Sequence, residues 1–288
     1  MSTPTRNLLF PYYEQLAPFV ADLIVLPVDK ADANIHLAAS VASLAKCFEF
    51  NYSICSKDIS EYSFFFIPFL RGMCEDLITL RYLTKYDAAI RQRILHNYLV
   101  HLQIESIHAQ ELFFKAEFIF EPLIKLVQGP HLDSFKTELK NIWSSFGFKK
   151  ERIFPSVEQM AIETKMKILY QYLYHATSRA VHFSPNVLMR MGWAKDKEYI
   201  FTTKNFTSYY NDFVMFYGTY LFLKFIKEFK KELNIDKEFL KICKAMKAEF
   251  IHLPSCPEIV TFEEMNDPRP ISIVALFADK SLRFKDSI

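Results

Sequence analysis

The segment from Tyr174 to His182 carries an unusual set of polar side chains for a helix that is otherwise rich in Leu and Tyr. At about 100° per residue, His175, Arg179 and His182 fall on one helical face, with Ser178 beside them. Imidazole can exchange a proton near neutral pH, and guanidinium can hold a phosphate through two hydrogen bonds. The pattern fits proton transfer beside a phosphate, and it equally fits a polar seam between helices that serves structure alone.

A charged pair, Arg71 and Glu75, lies one helical turn apart inside the strongly apolar segment 69–77. Such a pair is either a buried ion pair within one helix or part of a site. We therefore take both residues as supporting or ligand-binding candidates, together with Tyr174, His175 and Ser178.

Arg91, His96 and Tyr98 stand in the pattern R-x4-H-x-Y. This pattern is similar to the catalytic motif of HEPN-type ribonucleases, the higher-eukaryote and prokaryote nucleotide-binding superfamily. The resemblance implies a small helical bundle that dimerises and cleaves RNA without a metal. It also implies that His96 acts on the 2′-hydroxyl or the leaving oxygen while Arg91 stabilises charge on the phosphate. Gln92 stands where that family usually has Asn, Asp or His, and His96 also suits an ordinary surface position on a long helix.

Two segments resemble the signatures of an uncharacterised helical family, domain of unknown function 5677. The first signature is matched by Arg71, Glu75, Arg81 and Tyr82, and the second by Pro155, Glu158, Ala161, Tyr170, Tyr174, Ser178 and His182. The resemblance covers roughly residues 40–190. It implies an all-helical fold in which five of these side chains converge, namely Arg71, Glu75, Tyr174, Ser178 and His182.

A metal centre is a further alternative, because the chain contains two E-x-x-H motifs, at Glu105–His108 and Glu249–His252. Di-iron helical bundles use two such motifs and one Glu from each of two other helices. Glu75 and Glu163 stand in the right order to be those partners.

The elements that must position these residues are helices. Apolar periodicity and capping signals predict helices over about 32–53, 61–85, 87–120, 132–146, 156–180, 206–233 and 237–253. Asp32, Asp87 and Asp236 are the expected N-caps, Ser156 and Gln159 have capping-box spacing, and Gly147 is the expected C-cap of the fourth helix. Residues 199–203 suit a short strand. We predict an all-α bundle of six to eight helices in one domain, residues 1–255, followed by a Pro-containing tail, residues 256–288.

Composition excludes several classes of protein. The 288 residues are 51% hydrophobic and 24% charged with a net charge of +2, which is too apolar and too weakly charged for disorder. The five glycines form neither a dinucleotide-binding nor a P-loop motif. An odd number of cysteines without a C-x-x-C pair is typical of reduced thiols. We expect a cytoplasmic protein without a signal peptide, a membrane span or a resident cofactor.

We interpret the chain as a HEPN-like helical protein that acts on RNA, with catalytic roles for Arg91, His96, Tyr98, Arg179 and His182. The resemblance associates such proteins with bacterial toxins and antiviral defence. A homodimer or a protein complex is expected, because one Arg–His pair seldom completes a phosphodiester site. Two alternatives stay open, a non-catalytic helical binding or regulatory subunit and a carboxylate-bridged di-metal enzyme.

Overall fold

The structure of the chain is a computed structural model. It describes residues 4–57, 60–118, 124, 129–149, 152–182, 184, 187–188, 191–195, 198–253 and 256–259. Over these residues the architecture is all-α, as predicted, apart from one short β-hairpin. No helix in this part of the chain is both long and apolar enough to cross a membrane.

Ten α-helices occur in the described part. They are α1 (Pro4–Leu23), α2 (Val28–Ala33), α3 (Ile35–Ser56), α4 (Ser63–Leu83), α5 (Ala88–Glu117), α6 (Ser134–Ser145), α7 (Val157–Glu163), α8 (Lys167–Val181), α9 (Thr207–Phe229) and α10 (Lys237–Ile251). Short 3₁₀ turns at Ser60–Tyr62 and Pro130–Asp133 precede α4 and α6. Strands β1 (Gly192–Lys195) and β2 (Glu198–Phe201) pair antiparallel.

The described residues group into two compact units. The terminal unit draws on residues 1–24, 43–76 and 168–288, and the central unit draws on residues 25–42 and 77–167. Helices α3 and α4 contribute residues to both units. The expectation of a single domain over residues 1–255 stays a prediction. Residues 260–288 of the predicted tail lie outside the described part.

The core of the terminal unit is built by α1, α9, α10 and parts of α3 and α4. The hydroxyl groups of Tyr13 in α1 and Thr219 in α9 are hydrogen-bonded at 2.9 Å. The Tyr13 ring also contacts the rings of Phe48 in α3 and Phe222 in α9. Because Tyr13 and Phe222 are fully buried, these contacts stabilise the unit mainly by removing aromatic surface from water.

A glycine allows α3 and α9 to approach closely. The Asn51 side-chain amide donates hydrogen bonds to the carbonyl oxygens of Cys47 and Gly218, at 2.7 and 3.1 Å. A Cβ atom on Gly218 would lie 2.5 Å from Asn51 Oδ1. Only a residue without a side chain therefore fits at this crossing.

The core of the central unit centres on Trp143 in α6, which is fully buried. Its indole contacts the rings of Tyr82 and Tyr86, at and just beyond the C-terminal end of α4. It also contacts the rings of Phe148 and Phe154 between α6 and α7. These aromatic contacts hold Phe148 and Phe154 beside the indole that packs on the end of α4.

Local capping signals are confirmed where the partner lies within a few residues. Asp87 accepts a hydrogen bond from the Ile90 amide at the start of α5. Ser156 and Gln159 form both halves of a capping box at the start of α7. Gly147 follows α6 with a φ of 84°, the left-handed conformation that a C-cap glycine supplies.

Two boundary predictions are wrong. Asn34, and not Asp32, accepts a hydrogen bond from the Leu37 amide at the start of α3, because Asp32 belongs to the short helix α2. The helix predicted from residue 156 to 180 is broken into α7 and α8, with Lys165 at a φ of 61° between them.

The count of six to eight helices is also too low. Three helices are additional. We predicted neither α1 nor α2, and one predicted helix is divided into α7 and α8. Two internal prolines, Pro11 and Pro18, obscure the helical signal of α1. Its buried stripe of Leu9, Tyr13 and Leu16 nevertheless has helical spacing.

Candidate functional site

Four of the candidate residues meet in the terminal unit. Arg71 in α4 donates from Nε to Glu75 Oε1 at 2.7 Å and from Nη1 to Ser178 Oγ in α8 at 3.3 Å. Its guanidinium carbon also lies 4.8 Å from the centre of the Tyr174 ring, in a cation–π contact. We call Arg71, Glu75, Tyr174 and Ser178 the Arg71 cluster.

The Arg71 cluster is a half-buried, internally satisfied network. The side chains of Arg71 and Glu75 are 28% and 29% exposed, and Ser178 is buried. The hydrogen bond that Arg71 donates to Glu75 raises the pKa of Arg71 further, although burial acts in the opposite direction. Arg71 is therefore a fixed cation. Two of its five N–H groups are used in these hydrogen bonds, so the cluster both ties α4 to α8 and presents the remaining donors at a partly exposed position.

The other candidates on α8 do not join this network. His175 is exposed and contacts the edge of the Tyr174 ring, with the ring centres 6.0 Å apart. His182 is exposed beyond the end of α8, and in the described part only its backbone amide is bonded, to the Ser178 carbonyl. The side chain of Arg179 lies outside the described part. The convergence expected for His182 with Arg71 stays a prediction, because the described part contains no contact between these two side chains.

The R-x4-H-x-Y residues lie on α5 in the central unit. Tyr98 stacks on Phe154 with ring centres 4.3 Å apart, and its half-buried position raises the pKa of its hydroxyl. The His96 ring is exposed, and its centre is 6.3 Å from that of Phe135. Arg91 is half-buried, and its Nε is shielded from solvent without a hydrogen-bond acceptor. Tyr98 is thus held by packing, whereas Arg91 and His96 have polar atoms that no described residue uses.

The two predicted pairs of catalytic residues fall in different units. Arg91 and His96 belong to the central unit, and Arg179 and His182 belong to the terminal unit. Arg91 and His96 themselves are five residues apart on α5, which separates their side-chain directions by about 140° around the helix.

A cleft in the central unit was not predicted from the sequence. We call it the aromatic cleft; it is lined by Tyr82, Lys85, Tyr86, Phe146, Gly147, Phe148, Lys149, Arg152, Gln159 and Glu163. Its volume is about 560 Å³, within the range of small-ligand sites. The sequence does contain a signal, since aromatic and basic residues alternate closely in 82–86 and 146–152, but sixty positions separate the two segments.

The residues that the structure describes do not support the di-metal alternative. No three His, Cys, Asp or Glu side chains in that part of the chain are placed to hold one metal ion. In the first E-x-x-H motif, Glu105 instead lies 4.0 Å from the ring of His101, one turn before it.

A comparison with family models finds one match. Residues 65–199 match a family of unknown function, DUF5677. The matched region contains the Arg71 cluster, the R-x4-H-x-Y residues and the whole lining of the aromatic cleft. The similarity to an uncharacterised family, inferred from the two signatures, is therefore confirmed. No curated protein and no solved structure is similar enough to the chain to give a match.

Proposed function

We propose that the protein acts on RNA as a HEPN-like, metal-independent endoribonuclease, with Arg91, His96 and Tyr98 as its catalytic motif. The observation that carries the proposal is the state of Arg91 and His96. The Arg91 Nε is shielded from solvent and has no acceptor among the described residues, and the exposed His96 makes no hydrogen bond with another described side chain. A guanidinium N–H from which no described residue accepts is not committed to the fold, and the half-buried Arg91 side chain suits the binding of an anion.

The proposed reaction needs one proton acceptor and one proton donor. His96 accepts the proton of the 2′-hydroxyl, whose oxygen attacks the adjacent phosphorus. The P–O5′ bond breaks, and the leaving oxygen takes a proton from an acid. The products are a 2′,3′-cyclic phosphate and a 5′-hydroxyl end, while Arg91 stabilises the negative charge that develops on the phosphate.

A second copy of the chain is the proposed source of the acid, because one imidazole cannot accept and donate at the same moment. Exposed apolar residues on α5 support such pairing. Leu99 and Leu102 follow His96 by three and six positions and are 49% and 44% exposed. Burial of these side chains against a second copy would remove apolar surface from water. In a sedimentation experiment, we expect wild type to be a dimer and the Leu99→Asp/Leu102→Asp variant to be a monomer.

The test of the nuclease proposal is cleavage of a labelled structured RNA in buffer that contains EDTA. Wild type should release fragments with 2′,3′-cyclic phosphate ends, and His96→Ala should reduce the rate at least 100-fold. His108→Ala is the matched control, because His108 is another exposed histidine on α5. Cleavage by His96→Ala at the wild-type rate, or no cleavage by wild type, would refute the proposal.

His182 and Arg179 stay proposed contributors to the same reaction, and the same assay of His182→Ala tests the first of them. The proposed setting is a cytoplasmic toxin or an antiviral-defence system of a bacterium. Expression of wild type should then arrest growth of a bacterial host, while His96→Ala should not.

A second candidate function is a non-catalytic helical subunit that binds a protein partner. The Arg71 cluster favours it, because polar residues of the two family signatures are used there to join α4 to α8. This candidate predicts that substitutions in the Arg71 cluster lower the melting temperature while every nuclease assay remains blank.

A further inference from the structure

The floor of the aromatic cleft is a rigid set of rings. The centres of the Tyr86 and Phe146 rings lie 4.5 Å apart, and the Tyr82 and Tyr86 hydroxyl groups are hydrogen-bonded at 2.8 Å. Trp143 packs behind them against Tyr82, Tyr86 and Phe146. Phe146 is nevertheless 40% exposed. The cleft therefore presents a preformed aromatic surface of which part is open to a ligand.

The rim of the aromatic cleft is basic. The described residues of its lining include three cationic side chains, Lys85, Lys149 and Arg152, and one carboxylate, Glu163, and their net charge is +2. Glu163 is ion-paired with Lys85 and so neutralises that cation. The Arg152 Nη1 donates to the neutral Gln159 Oε1 and keeps its charge. In the described part no side chain pairs with Lys149, which is exposed.

The end of α6 places these groups together. Gly147 stands between Phe146 and Phe148, two residues before Lys149, and its φ of 84° is the left-handed conformation that follows a helix end. The Phe148 amide donates to the Trp143 carbonyl at 3.0 Å, which closes the last turn of the helix. Within 4 Å of the position that a Gly147 Cβ would take, there is only open space. Glycine is thus required here for its backbone conformation, and the space beside it belongs to the cleft.

We propose that the aromatic cleft binds one nucleotide of single-stranded RNA, with the base against Tyr86 and Phe146 and a phosphate at Lys149 and Arg152. A partly exposed aromatic surface beside two cations that no described carboxylate pairs with matches the two halves of a nucleotide, a planar base and an anionic phosphate. The base must be unstacked to reach the rings, so the ligand is single-stranded. This inference rests on the proposed action on RNA. It assigns to the protein a second RNA-binding site, separate from Arg91 and His96, neither of which lines the cleft.

The test uses an RNA that cannot be cleaved through its 2′-hydroxyl groups, a fluorescein-labelled, 2′-O-methylated hexanucleotide, and measures anisotropy. Phe146→Leu should raise the Kd about tenfold, because a stacked base loses its ring partner. Lys149→Ala should weaken binding and reduce the slope of log K against log salt by about 0.7. Phe113→Leu and Lys115→Ala are the matched controls, since both residues are exposed on α5 outside the cleft, and they should bind as wild type does.

Three outcomes overturn the inference. The first is that wild type does not bind the hexanucleotide, and the second is that both cleft variants bind it as tightly as wild type. The third is that inorganic phosphate displaces the labelled hexanucleotide as well as unlabelled hexanucleotide does, because the aromatic rings would then have no role in binding. Circular dichroism confirms that each variant is folded. If wild type binds the hexanucleotide through the cleft but does not cleave ordinary RNA, the proposed binding site stands and the proposed nuclease activity is wrong. If wild type cleaves RNA but both cleft variants bind the hexanucleotide as tightly as wild type, the nuclease activity stands and the proposed binding site is wrong.

Discussion

Arg71 donates from Nη1 to Ser178 Oγ, a residue 107 positions later in the sequence, at 3.3 Å. Both residues lie in the region that matches the family. The same guanidinium holds Glu75 through Nε and covers the Tyr174 ring with its face. Three different surfaces of one side chain are therefore used at once, which only a planar guanidinium can provide.

Arg71→Lys should lower the free energy of unfolding by about 1–2 kcal/mol. An ammonium group keeps the charge but cannot serve Glu75, Ser178 and the Tyr174 ring together, and each lost hydrogen bond costs about 1 kcal/mol. The ion pair itself contributes little, because both partners are more than a quarter exposed. Urea unfolding of wild type and Arg71→Lys measures the difference. A loss below 0.3 kcal/mol, taken as an approximate limit, would show that the Arg71 cluster does not join α4 to α8.

Gly218→Ala should destabilise the terminal unit even though alanine favours a helix by about 1 kcal/mol over glycine. The new Cβ would lie 2.5 Å from Asn51 Oδ1 and 2.9 Å from a Phe50 ring carbon. Overpacking of this kind costs about 1–3 kcal/mol, and the displaced Asn51 loses a further hydrogen bond. We expect a net loss of about 2 kcal/mol in urea unfolding.

Gly72→Ala is the matched control for that experiment. Gly72 also lies inside a helix, α4, but its Cβ would meet only the flexible end of Lys46, with the nearest atom at 3.3 Å. Helix propensity should then decide the outcome, so Gly72→Ala should be neutral or slightly stabilising. Equal losses in both variants would mean that the Asn51 contact does not determine the residue at position 218.

The sequence predicted those features whose partners lie close along the chain. Asp87 and Ser156 were identified as caps because each bonds an amide three residues ahead. The break at Lys165 was missed because lysine is not a turn signal, although it takes a φ of 61° between α7 and α8. Propensity is only a weak prior when tertiary contacts oppose it.

The site was predictable to a smaller extent. Arg71 and Ser178 were named from their motifs, but nothing local indicates that one donates to the other. The aromatic cleft was missed altogether, because Tyr86 and Phe146 meet only after the chain between them has folded. The pattern along a helix shows which residues share one of its faces. A cleft depends on which helical faces pack together, and these faces can be far apart in the sequence.

The cysteines should separate into one reactive and four protected thiols. Burial raises the pKa of Cys47, Cys55, Cys74 and Cys243 from 9.0 to about 12, whereas Cys256 is exposed. Because the thiolate is the reactive form, iodoacetamide at pH 8 should label Cys256 alone in the native protein and all five cysteines in urea. Mass spectrometry of the peptides counts the labels, and labelling of a buried cysteine in the native protein would contradict this assignment.

The same thiols predict that the protein loses stability in alkali. The pKa of these four thiols is higher in the folded state than in the unfolded state. Their contribution to the free energy of unfolding is therefore complete below pH 9 and falls as the pH rises towards 12. Unfolded thiols release their protons in that range while the buried thiols keep theirs. Urea midpoints should therefore fall between pH 9 and pH 11. A Cys47→Ser/Cys55→Ser variant should show a shallower fall, and an equal slope would assign the effect to other groups.

Arg91→Met should separate catalysis from stability. The half-buried Arg91 leaves Nε shielded from solvent without an acceptor, so an apolar side chain of similar length removes an uncompensated polar group. We expect RNA cleavage to fall at least 100-fold, since no cation then stabilises the phosphate, while the free energy of unfolding stays unchanged or rises by up to about 1 kcal/mol. Arg93→Met is the control, because Arg93 is exposed and ion-paired with Glu138, and it should cleave RNA normally. If Arg91→Met instead lowers the stability by about 2 kcal/mol or more, Arg91 holds the fold together and the nuclease proposal loses the observation that carries it.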